Sequence, residues 1–163
     1  MALAVVIVGA TVAAVIDLRT RRIPNRLSGA IATLGLLLAG LQMTGTGLAA
    51  ATGGLLVGLL LMLPGHLLGR TGAGDVKLLA ALGTLLGPSG TAAAFVYTLI
   101  AGGLLVVLVA AQRGRLATTV SRTATLVRPG GANVAEIDRP SADNRFAYAP
   151  AIALGACLAA IRG

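Results

Sequence analysis

Residues 48–68 read LAAATGGLLVGLLLMLPGHLL, 21 positions with no acidic, lysine or arginine side chain. As a helix rising 1.5 Å per residue, such a stretch is about 31 Å long, which matches the hydrocarbon thickness of a bilayer. It is therefore read as a membrane span, and the rest of the chain is read outward from it. Further apolar runs occupy residues 2–16, 27–43, 76–87, 91–111 and 146–161. Six passes is the simplest count. The third and fifth are comfortable in length, the first, second and sixth are slightly short, and the fourth is marginal. Loop signals separate them: Arg19 to Arg26 around Pro24-Asn25, Thr44-Gly45-Thr46-Gly47, Gly69 to Gly74, and Gly87-Pro88-Ser89-Gly90. A long polar segment, residues 112–145, precedes the last run; without apolar periodicity, it reads as a surface loop or a short interfacial helix.

Composition agrees with this class. Of 163 residues, 56% are hydrophobic and 11% charged, whereas soluble domains carry about a quarter charged residues. Aromatics at 2% and 23 glycines exclude a soluble core built on aromatic residues, and the high hydrophobicity excludes disorder. Cys157 is the only cysteine and His66 the only histidine, so neither a disulfide framework nor a zinc site of the usual ligands is expected, and no metal is assigned. The net charge of +8 does not call for nucleic acid. All the basic residues except Arg162 lie in the first, third and fifth loops or at their edges: Arg19, Arg21, Arg22 and Arg26, then Arg70 and Lys77, then Arg113, Arg115, Arg122, Arg128, Arg139 and Arg145. The positive-inside rule makes that face cytoplasmic and puts both termini outside. The expected fold is an all-α, multi-pass protein of the cytoplasmic (inner) membrane, with about six transmembrane helices. Residues 1–163 would form a single domain, and residues 112–145 a cytoplasmic loop within it.

Two of the five acids stand apart. Glu136, Asp138 and Asp143 fall in the polar loop, but Asp17 ends the first apolar run and Asp75 begins the fourth. The chain crosses twice between them, so both are expected at the same cytoplasmic boundary. A carboxylate at the edge of the apolar layer is costly and is by default a functional-site residue with a partner; each aspartate can be the partner of the other. Two adjacent carboxyls cannot both ionise cheaply, so one retains a proton while the other is charged, as an aspartic protease requires. The alternative for the pair is purely structural: Asp17 as a helix-end charge beside Arg19, Arg21 or Arg22, and Asp75 as an N-cap beside Lys77.

Neighbouring residues sharpen the reading. Gly72-Ala73-Gly74-Asp75 is a GxGD sequence at a loop-to-helix entry, followed by Val76-Lys77-Leu78, and Asp17 is followed by Ile23-Pro24-Asn25. Together with Ala147-Tyr148-Ala149-Pro150-Ala151-Ile152 before the last run, these motifs resemble the type IV prepilin peptidase family of membrane-embedded aspartic proteases. The short length resembles its minimal CpaA/TadV-like branch, which processes Flp-type pilins of tight-adherence systems. GxGD alone would equally suggest the presenilin and signal-peptide-peptidase group, but neither Tyr97 nor Tyr148 precedes an aspartate.

The resemblance implies Asp17 and Asp75 as the catalytic pair, with Gly72, Gly74, Lys77 and Tyr148 binding substrate or shaping the site. It implies a prepilin substrate, a lipid bilayer as surroundings and no cofactor, and it leaves self-association open. Larger relatives also methylate the new amino terminus and carry paired cysteines in a cytoplasmic region. This chain has only Cys157, inside the last run, so cleavage without methylation is expected. The reading from another functional class is a non-enzymatic membrane protein, such as a small transporter subunit whose acids line an ion path.

Single residues carry their own expectations. Pro24 ends the first helix, and Asn25 caps the second. Lys77 is read as snorkelling to headgroups ahead of neutralising a carboxylate, and Tyr148 as an interface anchor ahead of a hydrogen-bond partner for one. His66 is a solvated helix-end residue or a proton-transfer partner, and Cys157 is packing. Gly53-Gly54, Gly58 and Gly102-Gly103 are close helix contacts.

Overall fold

A computed structural model describes residues 2–45, 47–69, 71–112 and 148–162. Among these the regular structure is entirely helical: α1 (Ala2–Thr20), α2 (Asn25–Gly40), α3 (Leu48–Leu67), α4 (Ala73–Gln112) and α5 (Ala149–Arg162). The polar segment expected after Gln112, with its arginines and Glu136, Asp138 and Asp143, lies outside the described residues, as do Arg70 and Ala147. Contacts divide the chain into one unit of Met1–Gly102 with Ala147–Gly163 and another of Gly103–Phe146. In the second, the described residues continue α4 to Gln112, with Leu104, Val106, Val107 and Leu108 exposed. The first holds the core and the site.

Among the described residues, three helices are long and apolar enough to cross a membrane: α1, α3 and Ala73–Leu108 of α4. With α2 at 16 residues and α5 at 14, the other two are shorter. As a straight rod, the 40 residues of α4 would measure about 60 Å, twice the hydrocarbon layer. They do not run straight. Gly87 leaves the helical region with φ 68° and ψ 179°, a left-handed conformation that glycine takes without a Cβ clash. Beyond it, a Cβ on Gly83 would lie 3.0 Å from Oγ1 of Thr91; eight residues apart, these positions would be separated by about 12 Å along a straight helix. The chain therefore reverses at Gly87 into two arms, residues 73–86 and 88–112. The break expected over four residues is compressed to one, because Pro88 has no N–H to leave unpaired and its fixed φ suits a first helical position.

The first arm is the centre of the fold. Leu78, Leu79 and Leu82 are fully buried, and every residue from 78 to 85 is inaccessible. This explains the marginal fourth run: a helix surrounded by other helices rather than by solvent or lipid is apolar on all sides and need not match a bilayer in length. Small residues bring the neighbours in. A Cβ on Gly54 of α3 would collide with the Gly83 carbonyl oxygen, and one on Gly58 would lie 2.8 Å from the Ala80 backbone. Gly35 of α2 receives the Thr84 side chain, and Gly155 of α5 receives Thr98. Such close approach gives dispersion contact where burial from water cannot drive helix association.

Thr84, Thr91 and Thr98 are fully buried, seven residues apart. Each hydroxyl donates to a carbonyl of its own chain, Thr84 to Ala81 at 2.7 Å, Thr91 to Gly87 at 2.6 Å and Thr98 to Ala94 at 2.7 Å. These internal bonds satisfy the polar atoms, so the methyl groups can pack as apolar surface. At the far end from the site, Nη1 of Arg162 donates to the Tyr97 hydroxyl at 2.9 Å, tying α5 to the second arm. This occupies the one basic residue outside the charge pattern.

Candidate active site

Asp17 lies in the last turn of α1 and is 6% exposed. It continues the buried stripe of Val6, Gly9, Ala10 and Ala13, so the face that packs α1 against α5 also carries the carboxylate inward. There Oδ2 accepts the Ala149 backbone N–H at 3.2 Å. Ala149 is the first residue of α5, whose opening turn has unpaired N–H groups and the positive end of the helix dipole. A carboxylate from one end of the chain thus meets a helix start from the other.

Asp75 reaches an equivalent arrangement within its own helix. The Gly72 carbonyl accepts the N–H groups of Asp75 at 3.1 Å and Val76 at 3.3 Å, so Gly72 caps α4 and Asp75 is its third residue. The Asp75 side chain turns back, and Oδ2 accepts the Gly72 N–H at 3.3 Å, the return half of a capping box. A Cβ on Gly72 would come 3.1 Å from that same oxygen. The alternative of Asp75 as an N-cap is corrected by three positions: Gly72 caps, and the acid holds it.

Asp17 and Asp75 lie at the same end of the bundle: Asp17 bonds the residue that follows Tyr148, and Gly74, next to Asp75, packs on Ile23 in the turn that follows α1. Tyr148 precedes α5, and its carbonyl accepts the Ala151 N–H at 3.0 Å and the Ile152 N–H at 3.2 Å. Its ring lies over Gly102 of the second arm, where a Cβ would be 2.7 Å from Cε2 and 2.9 Å from the hydroxyl. Tyr148 is half-buried at this end.

The two sequence motifs dock on each other. A Cβ on Gly74 would lie 3.1 Å from Cβ of Ile23, and Nζ of Lys77 donates to Oδ1 of Asn25 at 3.1 Å. Asn25 is therefore the first residue of α2 rather than its cap. Pro24 holds the cap position with φ −64° and ψ 133°, and its carbonyl accepts the Leu27 N–H at 3.0 Å. Lys77 is exposed, and its ammonium ties the start of α4 to the start of α2. Spacing could not show this, because the 52 residues between the partners leave no local periodic signal.

His66 is exposed, and its Nδ1 donates to the Thr71 carbonyl at 3.0 Å, which closes the turn between α3 and α4. Cys157 is half-buried against the core. Among the described residues, no group of three histidine, cysteine, aspartate or glutamate side chains is arranged to hold a metal ion.

Searches of curated proteins and of solved structures found no match. The family model described as the type IV leader peptidase family matches residues 4–107. That region includes α1 with Asp17, the Ile23-Pro24-Asn25 turn, the glycine-rich entry with Asp75 and both packed arms of α4 as far as residue 107. With well over half its length matched, this membrane protein belongs to the type IV leader peptidase family.

Proposed function

We propose that the chain is an intramembrane aspartic endopeptidase that removes the leader of an Flp-type prepilin at the cytoplasmic face, with Asp17 and Asp75 as its acid and base. The observation that supports this reading is that two carboxyls at the same end of the bundle are each held through one oxygen by a helix-start N–H. Two anchored carboxyls within electrostatic reach share a proton. The ionised member takes a proton from water as the water oxygen attacks the scissile carbonyl carbon. The protonated member donates to the carbonyl oxygen, and a tetrahedral intermediate forms. Collapse breaks the C–N bond as a carboxyl proton passes to the leaving nitrogen. No metal or covalent enzyme intermediate is required.

Gly72, Gly74, Lys77 and Tyr148 act in support. Gly72 holds Asp75, and Gly74 allows Ile23 to approach. Lys77 fixes the α2 entry, and Tyr148 covers the carboxyl end beside Asp75. The membrane arrangement that fits this chemistry has six passes in the inner membrane with both termini outside; it counts the two arms of α4 separately and places residues 112–145 in the cytoplasm. Reporter fusions after Arg113 and after Gly45 are expected to report cytoplasm and exterior, and the reverse result would put the carboxyls on the wrong face.

The deciding experiment incubates purified protein in detergent with candidate prepilins and sequences the product termini. Asp17→Asn and Asp75→Asn are each expected to abolish cleavage while the protein stays folded; full activity in either would overturn the assignment. Cleavage by the unaltered protein should fall at both pH extremes, since the shared proton is absent at one and duplicated at the other. With S-adenosylmethionine present, mass spectrometry should find a free α-amino group on the cut pilin, and an added methyl group would refute the non-methylating reading.

A further inference from the structure

Five polar or charged residues are buried among the described residues: Asp17, Ser28, Thr84, Thr91 and Thr98. Asp17 accepts an N–H, and the three threonines donate to carbonyls of their own helix. Ser28, at 5% exposure, is different: its Oγ has no hydrogen-bond partner. A serine inside an apolar helix ordinarily donates to the carbonyl four residues back. Here that carbonyl belongs to Pro24 and already accepts two N–H groups, from Leu27 at 3.0 Å and from Ser28 itself at 3.4 Å. Leaving a buried hydroxyl unpaired costs about 1–3 kcal/mol, so a serine at this position calls for an explanation that packing does not give.

Its surroundings supply one. Ser28 shares the inner stripe of α2 with Ile31, Gly35 and Ala39. Ile31 meets α1 at Gly9, and α1 and α2 run in opposite directions from their short connection. One turn toward that connection, Ser28 falls in the layer of Ala13, and one turn further along α1 lies Asp17. On α4, the Asn25–Lys77 bond and the Gly35–Thr84 contact bracket the same layer, within the stretch that includes the buried Leu78, Leu79, Ala81 and Leu82. By this register Ser28 lies about one helical turn from the layer of Asp17.

We infer that Ser28 is a positioning residue of the hydrolytic site, whose hydroxyl holds a water molecule one turn beneath Asp17, in line to supply the carboxyl pair. The inference rests on the aspartic peptidase reading. At 5% exposure, the position admits a water more readily than a peptide strand. A buried water needs two to four polar partners, and in this inference they are the Ser28 hydroxyl and the carboxyl pair. Ser28 forms no bond to substrate and takes no proton from it; it sets where the attacking water waits.

The test compares unaltered protein, Ser28→Ala, Ser28→Thr and Asp17→Asn on one prepilin in detergent, reading kcat, KM and melting temperature. Ser28→Ala is expected to lower kcat tenfold or more at unchanged KM, with the melting temperature little changed because the hydroxyl makes no bond to another part of the protein. Ser28→Thr, which keeps the hydroxyl, should remain within threefold of the unaltered rate. The inference is overturned by an unaltered kcat in Ser28→Ala, by an effect on KM alone, by a lowered melting temperature, or by a threonine variant as slow as the alanine one. Activity in Asp17→Asn would instead remove the peptidase reading itself. A dead Asp17→Asn beside a fully active Ser28→Ala would remove only the role of Ser28.

Discussion

The two arms of α4 have similar apolar sequences and different surroundings. In the first, every residue from 78 to 85 is buried, and the helix opens on the capping arrangement of Gly72 and Asp75. In the second, Val96, Leu99 and Ile100 are at least half exposed, and only the side with Ala94 and Thr98 is covered. The difference lies in the neighbours. Glycines of α2 and α3 receive the first arm on several sides, whereas the second arm meets α5 along the line of Gly155 and Tyr148. A carboxyl at the head of the enclosed arm is held in place by protein packed around its helix, and the open arm presents an apolar surface of the kind a bilayer covers.

The largest effect expected from this contrast is at a glycine. Gly83→Ala places a methyl group on the Gly54 carbonyl, where neither backbone can yield, and should destabilise the fold by about 3 kcal/mol or more. Gly102→Ala on the second arm meets the Tyr148 ring first, which can turn aside. It should cost about 1 kcal/mol while slowing cleavage, because Tyr148 moves. Denaturation in mixed micelles measures both, and equal losses would erase the distinction between the arms.

Leucine truncations should rank next. Leu79→Ala, at a fully buried position, is expected to lose about 2–5 kcal/mol through the cavity it leaves. Leu99→Ala, half exposed, should stay within about 1 kcal/mol of the unaltered protein. A comparable cost at both positions would show the second arm to be covered by a partner in the folded state.

A smaller effect is expected where the first arm is tied to α2. Lys77→Met and Asn25→Ala each remove the same hydrogen bond, so a double-mutant cycle should return a coupling of about 0.5–1.5 kcal/mol. Cleavage should fall severalfold in either variant with little further loss in the pair. Additive losses would mean that the bond does not set the geometry of the α4 entry.

The smallest is at the opposite end. Tyr97→Phe deletes the acceptor of Arg162 on the second arm and should change stability by less than about 1 kcal/mol, with cleavage unaffected. A loss of cleavage there would show that the second arm transmits strain along its length to the carboxyl end.

The sequence by itself determined the solvent class and the breaks between helices. A run such as residues 48–68 has too little polarity for water, and glycine and proline mark the places where helices end. It also singled out Asp17 and Asp75, because a carboxylate at the rim of an apolar run is costly enough to be conspicuous. Only the tertiary structure decided the partners. The Ala149 N–H on Asp17, the Lys77 bond to Asn25 and the unpaired Ser28 hydroxyl join residues far apart in the chain or depend on a neighbour's acceptor being already taken. Hydropathy is a local sum and carries no such information. The same limit explains the first arm of α4: its length marks it as a weak span, and its depth in the bundle follows from glycines on α2 and α3, which no window along α4 contains.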